Sequence, residues 1–253
     1  MFMKNFDTRR LLSFVRRACQ HYGMIDDGDR IAVGLSGGKD SAALLIALCA
    51  LRKFYPNKFD VVGITVDSGF GGMDFSPVAS LCKQLGCEYI IKPTDIAHVV
   101  FETRNEKNPC SLCAKMRRGV LHDTAKAAGC NKVALGHHFD DVIDTFMLNL
   151  IHEGRLSSFS PVTYLSRKDI TLIRPLIYAK EKDIRYFVNH NDVPVVKSTC
   201  PEDKHTEREE IKNIISELDR RYDGFSHRVM NAIEKAGLDG YSPCPKEKRT
   251  KGD

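Results

Sequence analysis

Ile31-Ala32-Val33-Gly34-Leu35-Ser36-Gly37-Gly38-Lys39-Asp40-Ser41 is an apolar, β-type run that ends in two adjacent glycines, a lysine and three polar side chains. The Ala/Leu-rich stretch Ala42 to Leu51 follows directly, so the glycines fall where a buried strand passes into a helix. Such a junction suits an anion. Gly37 and Gly38 lack a Cβ and let backbone N–H groups approach closely, the helix N-terminus adds partial positive charge, and Lys39 adds a full one. It is not a P-loop of the Gly-x-x-x-x-Gly-Lys-Ser/Thr kind, because Val33 stands where the first glycine belongs and Asp40 where the magnesium-binding hydroxyl belongs.

Outward from this junction, the remaining strands and helices alternate. Asp7 to Tyr22 places Leu11, Leu12, Phe14, Val15 and Ala18 near one helical face and Arg9, Arg10, Arg16 and Arg17 largely on the other. Phe59 to Val66 reads as a second buried strand ending in Asp67 and a glycine-rich turn, Gly69 to Gly72. Asp67 then lies at the carboxyl edge where open α/β sheets bind ligands, although turn capping is a competing role for it. Pro77–Leu85 is predicted helical with Gly86 as its stop, Glu88–Ile91 a strand, Thr94–Phe101 a short helix, and Cys110–Ala128 a long one. Lys132–Leu135 and Asp169–Ile173 are the fourth and fifth strands. Val142–His152, Glu181–Asn191, Thr206–Tyr222 and Phe225–Ala236 complete the helices, and Val193–Val196 is extended.

This order predicts an α/β fold, a five-stranded mostly parallel sheet with helices on both faces plus a small helical C-terminal extension. The expected divisions are an N-terminal amphipathic helix (1–28), an α/β catalytic domain with a Cys-x-x-Cys insertion (29–200), a helical extension (201–240) and a disordered basic tail (241–253). The 253 residues suffice for a substantial core, and 42% hydrophobic with 28% charged residues is ordinary for a soluble globular chain. The formal charge of +5 permits a nucleic-acid partner without demanding one. No apolar run approaches the roughly 18 residues of a membrane span and the start lacks a signal peptide's apolar core, so the expected location is the cytoplasm, with no membrane partner.

Nine cysteines without an export signal argue for reduced thiols, some of them ligands. Cys110-x-x-Cys113 opens a helix beside Lys115, Arg117 and Arg118, a setting that favours thiolate, the form that binds metal or attacks sulfur. The pair by itself serves zinc, redox and iron–sulfur sites alike. Cys49, Cys82, Cys87 and Cys130 read as small buried hydrophobes. Cys200, in the Ser198-Thr199-Cys200-Pro201 turn after the last extended segment, is placed near the same ligand-binding edge. Gly136-His137-His138-Phe139-Asp140-Asp141 invites a His-His-Asp metal site as a minor alternative to a nucleotide-facing loop.

Ser36 to Ser41 after a strand resembles the signature of the PP-loop ATP pyrophosphatases. With Pro109 to Cys113, Arg117-Arg118-Gly119, Ala134 to Asp141, Ile173 to Leu176 and Glu181 to Ile184, the chain from about 8 to 240 is similar to the tRNA 2-thiocytidine synthetase branch of that family. The related two-thiouridine branch is disfavoured, because its terminal zinc-binding cysteine pairs have no counterpart here beyond Cys244.

The resemblance implies ATP-dependent thiolation of tRNA, most directly 2-thiocytidine formation at position 32 of the anticodon loop. AMP is transferred to the C2 oxygen with loss of pyrophosphate, and sulfide from a [4Fe–4S] cluster then displaces AMP. By the same resemblance Ser36, Gly37, Gly38, Lys39, Asp40, Ser41, Asp67, Gly136 and Asp141 attend ATP, with Asp141 the carboxylate for Mg2+ or general-base work. Cys110, Cys113 and Cys200 hold the cluster. Lys115, Arg117, Arg118 and Arg174 are the expected tRNA contacts, an ion-paired or capping role for Arg174 staying open. A cysteine desulfurase or another sulfide donor is the implied partner, and a homodimer is one option for the assembly. Two other readings stay open on the residues alone: a sulfurtransferase that uses a cysteine persulfide or a non-tRNA acceptor, and a nucleotide-binding or iron–sulfur sensor without catalysis.

Overall fold

The apolar runs read as strands are strands in the computed structural model, which describes residues 6–103, 109–196, 199 and 207–244. They are β1 (Asp29–Gly34), β2 (Phe59–Asp67), β3 (Glu88–Pro93), β4 (Lys132–Ala134), β5 (Val162–Leu165) and β6 (Ile170–Ile173). The helices are α1 (Arg9–His21), α2 (Lys39–Leu51), α3 (Ser76–Leu85), α4 (Ile96–His98), α5 (Pro109–Ala127), α6 (Phe139–Glu153), α7 (Glu181–His190), α8 (Glu207–Arg221) and α9 (Phe225–Ala236). The predicted helix from Thr94 is broken, since α4 passes directly into a π-turn, Val99–Thr103.

Among the described residues the sheet has the order β3-β2-β1-β4-β6-β5. β1 pairs in parallel with β2 on one side and β4 on the other, with Val33 opposite both Gly63 and Ala134. Chain order reverses between β1 and β4, the topological switch point at which loops from adjacent strands part and leave a crevice. The strand period of two sorts the core. Ile31 and Val33 belong to the cluster under α1, α2 and α7, whereas Ala32, Val62 and Ile64 pack with Leu121 and Ala125 of α5 on the opposite face.

The expected five strands are six. β5 is an antiparallel edge strand that pairs with β6 through Val162–Ile173 and Leu165–Ile170, after a tight turn in which Asp169 takes a φ of +48°. Val-Thr-Tyr-Leu is short, and Tyr164 faces solvent at 61% exposure, so it carries no buried alternation. Its turn, Ser166 to Asp169, has no glycine to announce a hairpin.

The expected disordered tail also starts too early. Tyr241 is fully buried, its ring meets Tyr22 edge-on at 5.9 Å, and Cys244 N–H donates to the carbonyl of His21 at 2.8 Å. Residues 245–253 of that tail lie outside the described residues. Ile211 and Ile215 of α8, Met230 and Ile233 of α9, Leu11 and Val15 of α1, and Tyr241 all share the core that surrounds α2, so the first helix and the last two close over one hydrophobic interior. The Tyr241 hydroxyl is buried without a hydrogen-bond partner among the described residues. Removing an unpaired buried hydroxyl forfeits no bond and ends its desolvation penalty. Tyr241→Phe is therefore expected to melt at or slightly above the wild-type temperature, its stability changed by no more than about 1 kcal/mol; a clear drop in Tm would show that the hydroxyl is bonded.

Candidate active site

Gly38 is the N-cap of α2, in extended backbone, and the first-turn N–H groups that follow have no intrahelical acceptor. Around them the hydroxyls are set. Ser41 Oγ donates to the Gly38 carbonyl at 2.9 Å and lies 3.3 Å from Ser36 Oγ, which accepts from Gly38 N–H at 3.3 Å. Gly37 sits at a φ of +86°, the left-handed region that glycine enters without strain. A Cβ there would come 2.9 Å from the Val196 Cβ.

The loop after β4 presses on this cradle. A Cβ on Gly136 would meet Ser41 N at 3.2 Å and the Asp40 carbonyl carbon at 3.3 Å, so glycine is what allows the two loops to touch. His138 caps α6 in a reciprocal box, accepting from Asp141 N–H at 3.4 Å while Asp141 Oδ2 accepts from His138 N–H at 2.9 Å. Its Nε2 stands 4.0 Å from Asp40 Oδ1. His137 stacks against Phe159 at 4.9 Å. The two histidines thus divide between capping and ring stacking, and among the described residues no group of three metal-suited side chains includes them.

Between these loops, β2 and α5 lies an open cavity of about 430 Å³. Ile64, Val66, Leu121 and Leu135 give it an apolar wall fit for a planar base, while Ser36, Ser41, Asp40, Asp141, Arg117 and Arg118 supply a polar rim. Asp40 Oδ1 is buried with no hydrogen-bond partner among the described residues, and Asp141 shares its cavity. Two carboxylates there fit a hard divalent cation such as Mg2+.

Cys110 and Cys113 occupy the first turn of α5, one helical turn apart. Cys110 is exposed, and Cys113 is buried beside Ile96 and Val100. Val66 packs against that apolar group and also lines the cavity, as does Ala114, the residue after Cys113, so the cysteine turn lies next to the nucleotide-sized space. The chain that leads to Cys200 is tied to the same place, since Val196 N–H donates to the Gly37 carbonyl at 2.9 Å and Thr199 Oγ1 to the Gly71 carbonyl at 3.1 Å. Cys200 itself lies outside the described residues. Cys110 and Cys113, in no disulfide and at a helix N-terminus, are thiol donors of the kind an iron–sulfur cluster takes.

Other expected residues fall differently. Asp67 ends β2, but its Oδ1 caps the turn by accepting from Gly69 N–H at 3.0 Å, and it does not line the cavity. Lys115 is exposed on α5 outside the cavity, whereas Arg117 and Arg118 face it. Arg174, expected at an RNA surface, is 8% exposed: its Nη1 donates to the Ser160 carbonyl at 2.5 Å and its guanidinium lies 5.0 Å over the Phe159 ring. Burial lowers its pKa, and its place is to fix the chain entering β5. Sequence reading missed Glu181 as a site residue. Its carboxylate stands 3.1 Å from Lys39 Nζ, which also contacts Asp40 Oδ2 at 3.0 Å. Burial opposes charge on both Lys39 and Glu181, but their partners outweigh it. The Lys39 pKa is raised, and the Glu181 pKa is lowered to about 2.

The PP-loop domain family matches residues 7–218. The tRNA-cytidine(32) 2-sulfurtransferase of Geobacter sulfurreducens is 37% identical over 235 residues, covering 92% of this chain and 91% of that protein. That of Ralstonia pickettii is 39% identical over 236 residues, covering 92% and 75%. Among solved structures, the U34-tRNA thiolase NcsA from Methanococcus maripaludis with its [4Fe-4S] cluster superposes with a TM-score of 0.73 at 25% identity, over 89% of this chain and 78% of that one.

Proposed function

The chain belongs to the PP-loop family, in its tRNA 2-thiocytidine synthetase branch, and from that premise we propose that the cavity beside the phosphate loop binds ATP for thiolation of cytidine 32 in tRNA. The protein is an ATP-dependent tRNA sulfurtransferase. The observation that carries the site assignment is that the phosphate loop lines a cavity which α5 borders from Ala114 onward, one residue after Cys113, with Val66 shared between that cavity and the apolar cluster around Cys113.

The C2 oxygen of cytidine is a poor leaving group. In the first step it attacks the α-phosphorus of ATP, forming an O–P bond as the α-phosphorus–oxygen bond to the β-phosphate breaks and pyrophosphate leaves. The first-turn N–H groups of α2, the hydroxyls of Ser36 and Ser41, and Lys39 hold the β- and γ-phosphates and stabilise the charge that builds on the departing pyrophosphate. Asp40 and Asp141 would hold Mg2+, which offsets phosphate charge. The apolar wall formed by Ile64, Val66 and Leu121 keeps the base in place and excludes water, and Arg117 and Arg118 balance the RNA backbone at the rim. In the second step sulfur replaces the adenylylated oxygen at C2 and AMP leaves with it. Cys110, Cys113 and Cys200 would hold a [4Fe–4S] cluster, which supplies sulfur as sulfide when bound. That sulfide comes from a sulfide donor directly, or from the persulfide of a cysteine desulfurase after a thiol reductant supplies the two electrons that release it as sulfide, and the reaction belongs to the cytoplasm. Among the described residues no helix is long and apolar enough to cross a membrane.

The test is nucleoside mass spectrometry of tRNA from a strain without this protein and from the complemented strain. Loss and rescue of 2-thiocytidine are expected. Loss of a different thionucleoside would keep the chemistry and change the base, and an unchanged nucleoside profile would defeat the assignment to tRNA.

A further inference from the structure

Glu181 belongs to a different element from the phosphate loop, yet its carboxylate is one of the two that hold the Lys39 ammonium. An acid in the first turn of α7 is favoured by the helix dipole, but that does not require its side chain to turn toward Lys39. The backbone fixes it there. Asp140 Oδ2 accepts from Glu181 N–H at 2.6 Å, and Phe139 N–H donates to the Ala179 carbonyl at 3.0 Å, so the loop that carries Asp141 also positions the start of α7. Arg185, one turn along, donates to the same Glu181 oxygen at 3.0 Å. The groups facing the Lys39 ammonium are therefore Asp40 from its own helix and Glu181 from α7, and the carboxylate of Glu181 is in turn held by Arg185.

A fixed negative charge beside a lysine that grips phosphate opposes phosphate binding. It works against substrate and product alike, and a site that held pyrophosphate too firmly would be limited by its release. Resting on the ATP reading above, we infer that Glu181 is a positioning residue that exchanges with pyrophosphate for Lys39. The ammonium leaves Glu181 for the β- and γ-phosphates when ATP binds, and returns to it as pyrophosphate departs, so that the pair is re-formed without an isolated charge at any stage.

The sign of this effect separates it from a structural role. Glu181→Gln keeps the side chain's size and the backbone bond to Asp140 but removes the charge that competes for Lys39. Magnesium pyrophosphate titrated into the full-length variant is expected to bind about 3- to 10-fold tighter than to wild type, with KM for ATP and kcat of thiolation both lowered. Glu181→Ala, which also lacks the charge, should shift in the same direction. In a Lys39→Met background the same Glu181→Gln change should leave pyrophosphate affinity within about 2-fold, because the group competed for is gone. A carboxylate that only braced the loop would give weaker binding on removal, and in both backgrounds. That result, or an unchanged affinity in Glu181→Gln, overturns the inference alone. Wild-type protein that takes up no pyrophosphate overturns the ATP-site reading and the inference with it.

Discussion

The Cys113→Ala protein is expected to bind ATP with wild-type affinity and to form no 2-thiocytidine. Cys113 is buried beside Ile96 and Val100, and a thiol in that position that served only as packing would be replaced by a methyl group at a cost of about 1 kcal/mol, with catalysis intact. The helix argues for more. Cys110 lies one turn before it at the exposed N-terminus of α5, and the next turn of the same helix already faces the cavity through Arg117 and Arg118. Iron and acid-labile sulfide per chain after anaerobic purification read the role directly. Both should fall sharply in Cys113→Ala and Cys110→Ala and stay at wild-type levels in Cys130→Ala, whose thiol is buried in the separate cluster between the sheet and α5. A persulfide enzyme would instead contain little iron even as wild type, and full thiolation by Cys113→Ala would remove this residue from the sulfur site.

The central sheet and the phosphate loop were legible because local signals and tertiary placement agree there. A buried strand, two glycines and an Ala/Leu helix leave one geometry open, and Gly37 and Gly38 occupy it. β5 was not legible, since an edge strand with Tyr164 turned to solvent has no pattern to read and its partner β6 supplies the order. Side-chain direction was likewise hidden. Asp67 ends a strand and Arg174 follows one at the functional edge, but the first folds back onto its own turn and the second is drawn under Phe159 and the Ser160 carbonyl. Glu181 was visible only as part of a motif, because what makes it matter is the distance to Lys39. Tyr241 sat in a stretch rich in proline and charge, and only the pocket beside Tyr22 explains why the chain stays packed that far.

Gly37→Ala should damage both halves of the site at once. The residue has a φ of +86°, where a Cβ costs about 1–2 kcal/mol from backbone sterics alone. Gly28, at a φ of +81° with nothing within 4 Å of the place a methyl group would take, gives the control. Gly28→Ala bears the backbone strain as lost stability and leaves ATP affinity unchanged. At Gly37 the new methyl also meets the Val196 Cβ at 2.9 Å, while the Gly37 carbonyl accepts the Val196 N–H at 2.9 Å, so neither chain can yield without breaking that bond. If relief comes from the phosphate loop, the N–H groups that hold the β- and γ-phosphates turn away, and a loss of about 2–3 kcal/mol of transition-state binding lowers kcat/KM for ATP about 30- to 150-fold. If it comes from the other side, the segment that runs from Val196 through Thr199 toward Cys200 shifts off the Gly71 carbonyl, and bound iron falls as well. Measuring ATP affinity and iron content on one preparation separates the two routes, and a Gly37→Ala protein normal in both would show that the contact between the phosphate loop and Val196 carries no functional load.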